Sequence, residues 1–191
     1  MAAYPYMVQT ALNVLISIFE QWHKEPYRWI KERDLQSEIG SRLNQIFALQ
    51  GLGTIKGDYK WADSGFDREQ SWSRVSYEPY VNYEYEEGKS ARCHPDIVIW
   101  DDLKEGEDPP GGQLWPILWA CELKYRSADD GSTDVAKLEN LIKQHKIKFG
   151  CSVRVHFVKD PDGVGVKWTG TDHGRHLWAC DVAMPEGKKN S

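Results

Sequence analysis

The sequence predicts an α/β protein with a mixed central β-sheet flanked by helices. Two segments with apolar residues at helical spacing come first, and short continuous apolar runs follow them. A third helical pattern separates two of these runs, and a helix that crosses between strands implies parallel strands with helices packed on the sheet. At 191 residues, with roughly 100–200 residues per domain, the chain is expected to form one domain.

The first two elements are predicted to be helices. Residues 5–23 carry apolar side chains at helical spacing, and Pro5 lies in the first turn, where a proline is tolerated. Residues 31–50 repeat the pattern, and Gly51 and Gly53 end this second helix. Each helix has its apolar residues on one side, which indicates that this side packs against the rest of the protein.

The later elements are predicted to be strands with one helix between them. The aromatic-rich residues 54–87 suit strands and loops. Buried strands are predicted at residues 95–100 and 117–125, because both are short and almost continuously apolar. A third helix is predicted at about residues 132–149, since Ser132 or Thr133 can cap its start. Further strands are expected at residues 152–158, 163–168 and 177–182.

We expect residues 1–191 to fold as a single domain. Within it, residues 1–30 form an N-terminal helical extension, residues 31–184 form the core, and residues 185–191 form a frayed tail. No repeat, low-complexity tract or linker divides the sequence.

Charge, hydropathy and cysteine spacing exclude several classes of protein. No apolar run approaches the roughly 20 residues that span a bilayer, so no membrane partner is expected. Four scattered cysteines without paired spacing indicate reduced thiols in a cytoplasmic protein. The net charge of −5 combines an acidic run at residues 101–108 with a basic segment at residues 132–159. Net charge alone therefore does not argue against a nucleic-acid partner.

Two charged residues interrupt the apolar run at residues 117–125. Glu122 and Lys124 are two residues apart, so on a strand they project from the same face. Asp96 begins the preceding apolar strand, and its carboxylate converges on the other two side chains if the strands pair. Mg²⁺ binds such carboxylates, and a neighbouring lysine can orient or deprotonate the attacking water. An internal ion pair on a partly exposed sheet face is the alternative interpretation.

This pattern resembles the signature of a nuclease superfamily. Pro95-Asp96, twenty-five further residues and then Glu122-Leu123-Lys124 match PD-(D/E)xK, the motif of the restriction-endonuclease-like nucleases. The resemblance covers the greater part of the chain, and the predicted helix after the E-x-K strand agrees with it. The acidic, proline-rich insert between the two motif strands is longer than a simple hairpin needs. The first helix and the C-terminal segment have no evident counterpart in the family.

The resemblance implies a Mg²⁺-dependent endonuclease that hydrolyses DNA phosphodiester bonds, with Mn²⁺ as a substitute metal. Asp96 and Glu122 would hold the metal together with the carbonyl of Leu123. Lys124 would orient or activate the attacking water. Glu38, on the second helix, would supply the upstream glutamate of the family and complete the metal site.

Three further residues are candidates for contacts with substrate phosphate. Lys137 lies on the predicted third helix, and Arg92 and His94 shortly precede Asp96. For Lys137 the alternative is an ordinary surface lysine. For Arg92 and His94 it is a loop position without a binding role.

DNA is the expected partner, and RNA stays open. Cutting both strands needs two sites, which a homodimer or a partner subunit would supply. The alternative function is a non-catalytic nucleic-acid-binding or protein-interaction module of the same fold, in a defence or mobile-element system. A metal ion between Asp96 and Glu122 would distinguish the enzyme from the module.

Overall fold

The computed structural model describes residues 5–24, 31–60, 67–86, 89–102, 116–125, 132–159, 166–168 and 172–183. Three helices and ten strands lie within these ranges. In chain order they are α1 (Tyr6–Lys24), α2 (Glu32–Leu49), β1 (Thr54–Lys60), β2 (Asp67–Ser73), β3 (Val75–Tyr77), β4 (Val81–Glu86), β5 (Lys89–Cys93), β6 (Ile97–Trp100), β7 (Ile117–Tyr125), α3 (Ser132–Lys143), β8 (Ile147–Lys159), β9 (Val166–Trp168) and β10 (Asp172–Ala183).

The largest sheet has six strands in the order β3-β6-β7-β8-β10-β9. β7 and β8 run parallel, with α3 between them in the chain, and the other neighbouring pairs of this sheet are antiparallel. β1 pairs with β2, and β4 pairs with β5, in two smaller antiparallel sheets. The predicted α/β class and the mixed central sheet are confirmed.

α1 and α2 cover one face of the six-stranded sheet. The apolar spacing along α2 brings Leu35 and Leu43 to the same side of the helix, where both are buried. They share a core with buried residues of α1 and with alternate residues of β7, namely Trp119, Cys121 and Leu123. The N-terminal helix is therefore part of the same core as the sheet.

α3 and the β4–β5 pair lie on the opposite face. Leu138 of α3 packs with Val98 of β6 and Ala120 of β7 in a second apolar cluster. The side-chain oxygen of Gln144 accepts a hydrogen bond of 2.9 Å from the backbone N–H of Glu84, which ties the end of α3 to β4. Alternate residues of β7 thus face two different cores, which places the even-numbered Glu122 and Lys124 on the α3 side.

The third helix is shorter than the sequence predicts. α3 ends at Lys143, and β8 begins at Ile147, so residues 147–149 are strand rather than helix. His145 lies in the turn between them with a φ of 55°. This left-handed backbone conformation ends a helix, and pairing of Ile147 with Ile117 then outweighs the helical spacing of the local sequence.

The other boundaries agree with the sequence to different degrees. α1 and α2 match their predicted ranges to within one residue at each end, and β7 spans the predicted residues 117–125. β10 starts five residues earlier than predicted, because its pairing with β8 extends to Gly174 and its pairing with β9 extends to Asp172. Most of the acidic insert, and the predicted tail at residues 185–191, fall outside the described residues.

Cys93, Cys121 and Cys151 are buried in the described part of the chain. None of the described helices combines the length and apolarity needed to cross a bilayer.

Replacing Leu43 by alanine should lower the free energy of unfolding by about 2–5 kcal/mol, the usual cost of truncating a buried leucine. Leu43 has 0% of its surface exposed, whereas Leu49, in the last turn of the same helix, is 90% exposed. Leu49→Ala makes the same chemical change, and its effect should stay within about 0.5 kcal/mol. Urea denaturation of both variants measures the difference. Equal losses would contradict the packing of α2 against the sheet.

Candidate active site

Asp96 is held by three neighbouring elements just before β6 begins. Its Oδ2 accepts a hydrogen bond of 2.6 Å from the backbone N–H of Leu123 in β7. Its backbone oxygen accepts a bond of 2.6 Å from Nε2 of Gln36 in α2 and one of 3.3 Å from the N–H of Glu78, next to β3. These contacts fix the direction of the Asp96 carboxylate relative to β7.

The pairing of β6 with β7 brings Asp96 to Glu122. Ile97 pairs with Cys121 in this antiparallel ladder, so the next register position sets Asp96 opposite Glu122. Residues opposite each other on one face of an antiparallel pair have Cβ atoms only about 5 Å apart. The strand pairing on which the sequence prediction depended is therefore present.

Glu122 and Lys124 both form ion pairs with α3. Glu122 Oε1 lies 2.5 Å from Nζ of Lys137, and Nζ of Lys124 lies 3.6 Å from Oδ2 of Asp134. Nζ of Lys137 is also 3.9 Å from Oδ1 of Asp134. Two cations, Lys124 and Lys137, thus alternate with two carboxylates, Glu122 and Asp134, across the interface between β7 and α3. Asp96 lies beside this cluster, directly before β6.

Burial makes the ionised carboxylates costly. The Glu122 side chain is only 4% exposed. Burial raises the pKa of Glu122 to about 7, because it outweighs the opposing effect of Lys137, and the charge of Asp96 adds to the rise. Burial likewise raises the pKa of Asp96 to about 6, against the lowering effect of the Leu123 N–H. Both carboxyl groups are therefore partly protonated close to neutral pH.

The charge of Glu122 raises the pKa of both the cation and the thiol next to it. Burial alone would lower the pKa of Lys137, but the contact with Glu122 outweighs burial and raises it, so Lys137 remains an ammonium. Burial raises the pKa of the Cys93 thiol to about 11, and the nearby Glu122 charge acts in the same direction. Cys93 therefore remains an uncharged thiol beside Glu122.

The backbone of Leu123 offers a further oxygen on the side of β7 that faces Asp96. In a β-strand the N–H and the C=O of one residue lie on the same side, and the N–H of Leu123 is directed at Asp96 Oδ2. The carbonyl oxygen therefore faces the gap between the end of β7 and Asp96. Its role as a metal ligand stays a prediction.

Glu38 makes its contacts on a different side of α2. Its Oε1 lies 2.8 Å from Nε of Arg42, and Nη2 of Arg42 lies 2.5 Å from Oε1 of Gln21 in α1. Gln36, two residues before Glu38, is the side chain that reaches Asp96, and two residues on a helix are about 200° apart. These contacts join Glu38 to Arg42 rather than to Asp96, and the role of Glu38 as a metal or water ligand stays a prediction.

Glu32 is the α2 carboxylate whose charge acts on Asp96. It lies one turn before Gln36, on the same side of the helix, and its charge raises the pKa of Asp96. Sequence spacing shows only that Glu32, four positions before Gln36, shares its helix face. The sequence did not show that this face is the one directed at Asp96.

The three candidate phosphate contacts lie in different places. Lys137 is inside the ion-pair cluster, not on the open surface as the alternative had it. Arg92 is exposed, with its guanidinium 5.5 Å from the ring centre of Tyr80. His94 is exposed as well, and its Nδ1 lies 3.2 Å from the backbone oxygen of Glu78. Contact of these residues with phosphate stays a prediction.

Sequence reasoning missed Asp134 as a member of this cluster. The signal was present, because Asp134, Lys137, Leu138 and Leu141 share one side of α3. Two charged residues on the side of a helix that packs against a sheet need partners, and Glu122 and Lys124 are the charged residues on the facing strand. Pairing the two charged residues of α3 with the two charged residues of β7 by opposite sign would have predicted the cluster.

The donor set fits a hard divalent cation held mainly by two carboxylates. Among the residues that the structure describes, no group of three or more His, Cys, Asp or Glu side chains is arranged to hold a metal ion. Mg²⁺ commonly takes only one or two protein carboxylates and completes its shell with water and substrate oxygen. Asp96, Glu122 and the Leu123 carbonyl would supply oxygen ligands of that kind.

Comparison with known protein families, with curated proteins and with solved structures finds no match to this chain. The function is therefore argued from the site alone.

The raised pKa of Glu122 makes stability depend on pH in a defined direction. The folded protein keeps this proton up to about pH 7, whereas the unfolded chain releases it near its ordinary value of 4.5. The stability that this protonated carboxyl contributes is therefore lost as pH rises through that window. Glutamine has no proton to release, so Glu122→Gln keeps its stability over this pH range while the wild type loses some. The unfolding free energy of the variant minus that of wild type should therefore increase between pH 4.5 and pH 7.

Denaturant unfolding at several pH values measures this difference. Glu139→Gln is the matched control, because Glu139 is an exposed residue of α3, the helix that faces Glu122, and the chemical change is identical. Its difference from wild type should stay flat. A flat or falling difference for Glu122→Gln would show that Glu122 is not a carboxyl with a raised pKa.

Proposed function

We propose that this protein is a metal-dependent nuclease that hydrolyses DNA phosphodiester bonds, with a restriction-endonuclease-like core of the PD-(D/E)xK type. One observation carries the proposal. Asp96 and the buried Glu122 face each other across adjacent strands, and Lys124 and Lys137 lie at the same end of β7. This arrangement provides oxygen ligands for a cation and positive charge for an anionic substrate.

Each residue of the motif has a distinct role in this proposal. Asp96 and Glu122 bind Mg²⁺ or Mn²⁺, with the carbonyl of Leu123 as a further ligand. When bound, the cation would lower the pKa of a coordinated water and act as a Lewis acid toward a phosphate oxygen. Lys124, which is 32% exposed, orients that water and offsets the charge that develops on the phosphate.

The charge around the site supports a polyanionic substrate. Lys124 is the register partner of Arg154 in the parallel β7–β8 ladder, so two cations lie side by side on the face that α3 covers. Lys137 adds a third cation. Phosphate contacts from lysine and arginine supply most of the sequence-independent affinity for nucleic acids. DNA is the proposed substrate, and RNA is tested alongside it.

One observation favours a second candidate, the non-catalytic binding or interaction module. Without a metal, the ion pairs to α3 already offset part of the charges of Glu122 and Lys124. A protein that never binds metal would keep this cluster as a structural feature of the sheet. Cation binding therefore separates the two candidates before any substrate is known.

Asp96→Asn and Lys124→Met should each reduce metal-dependent cleavage by about 100-fold or more, the usual effect of removing a metal ligand or a group that assists proton transfer. The assay offers linear, nicked, branched and single-stranded DNA, and single-stranded RNA, with Mg²⁺ or Mn²⁺. Glu139→Gln and Lys143→Met remove the same charges from exposed positions of α3 and should cleave like wild type.

The outcome for the wild-type protein decides between the candidates. Cleavage that needs the metal and is lost in both motif variants supports the nuclease. Cleavage that persists unchanged in Asp96→Asn and Lys124→Met contradicts the proposed mechanism. Nucleic-acid binding without cleavage or cation binding would favour the module.

A further inference from the structure

Lys137 is placed where it competes with a cation for Glu122. Its Nζ lies 2.5 Å from Glu122 Oε1, and the two side chains are only 22% and 4% exposed. The register of β6 and β7 sets the same carboxylate opposite Asp96. One buried carboxylate thus serves both an internal ammonium and the proposed metal site.

We propose that Lys137 is an internal counter-ion for Glu122 that a divalent cation displaces. The inference rests on the proposed function, because it requires the cation to bind at Asp96 and Glu122. It assigns to Lys137 a role other than a fixed salt bridge. The ammonium holds the site in its metal-free form and leaves Glu122 when the metal enters.

Electrostatics favours the exchange. An ammonium within hydrogen-bonding distance of Glu122 would lie only a few ångströms from a cation bound to the same carboxylate. Two like charges at that separation in a partly buried site repel each other strongly. Lysine has a flexible four-carbon stem, so Lys137 can move away without a change in the backbone of α3.

Asp134 is the group that receives the displaced ammonium. It lies one turn before Lys137 on α3, and its Oδ1 is already 3.9 Å from Lys137 Nζ. The Asp134 side chain is 8% exposed, and its other oxygen lies 3.6 Å from Lys124 Nζ. A short rotation of the Lys137 side chain therefore moves its charge from the strand to its own helix.

The exchange has a consequence for metal affinity. The cation must displace an ammonium from Glu122, so the ion pair weakens cation binding. Removing the ammonium should strengthen it, once Glu122 is ionised in both proteins. Close pairs of charged groups interact strongly. We therefore expect Lys137→Gln to bind Mg²⁺ about tenfold or more tightly than wild type at high pH, where the Mg²⁺ affinity of each protein no longer changes with pH.

The decisive experiment observes Lys137 in the wild-type protein. Ammonium resonances of lysine side chains are followed by nitrogen-15 NMR during titration with Mg²⁺, and calorimetry measures Mg²⁺ binding in the same buffer. The Lys137 resonance is identified by its absence from Lys137→Gln. It should shift and lose protection from water exchange in step with Mg²⁺ occupancy, whereas the exposed Lys143 should not change.

The outcomes separate the two proposals. If Mg²⁺ and Mn²⁺ give no binding heat with wild type or Lys137→Gln, the metal site is wrong, and the counter-ion role falls with it. If Mg²⁺ binds while the Lys137 resonance stays unchanged and Lys137→Gln has wild-type affinity at high pH, the counter-ion role is overturned and the metal site stands. A shift of Lys137 together with tighter binding in the variant supports both.

Discussion

The hydrogen bond from the Leu123 amide to the Asp96 carboxylate joins the sheet to the site. It continues the pairing of β6 and β7 past the last ladder position, and its distance is 2.6 Å. Gln36 of α2 holds the backbone of the same aspartate from the other side. The β6–β7 register sets Asp96 opposite Glu122, and this bond fixes the direction of the carboxylate on which the proposed chemistry depends.

The second constraint is the cost of charge inside the sheet. Glu122 faces α3 because β7 alternates between two cores, and an ionised carboxylate there needs a cation close by. α3 provides Lys137 for Glu122, and Asp134 for Lys124. The paired arrangement lets the fold tolerate these groups, and the raised pKa of Glu122 shows that compensation is incomplete. A divalent cation would complete it.

The sequence predicted those parts of the fold and the site that depend on local periodicity. The spacing of Leu35 and Leu43 marked α2, and the two charges in an apolar run marked β7 and placed Glu122 and Lys124 on one face. The rotation of a helix about its axis is set by tertiary packing, so the sequence of α2 could not show that Gln36 is a residue whose side chain reaches Asp96. The end of α3 was missed for a related reason, because strand pairing with β7 overrides the helical pattern after His145.

The most direct measurement of the central claim is to locate a paramagnetic cation by NMR. Substoichiometric Mn²⁺ broadens the amide signals nearest to its binding site. If Asp96 and Glu122 hold the cation, the signals of Ile97, Glu122 and Leu123 should broaden first, and Asp96→Asn should abolish the effect. Broadening that begins in the acidic run at residues 101–108, or that persists at Leu123 in Asp96→Asn, would contradict the proposed site.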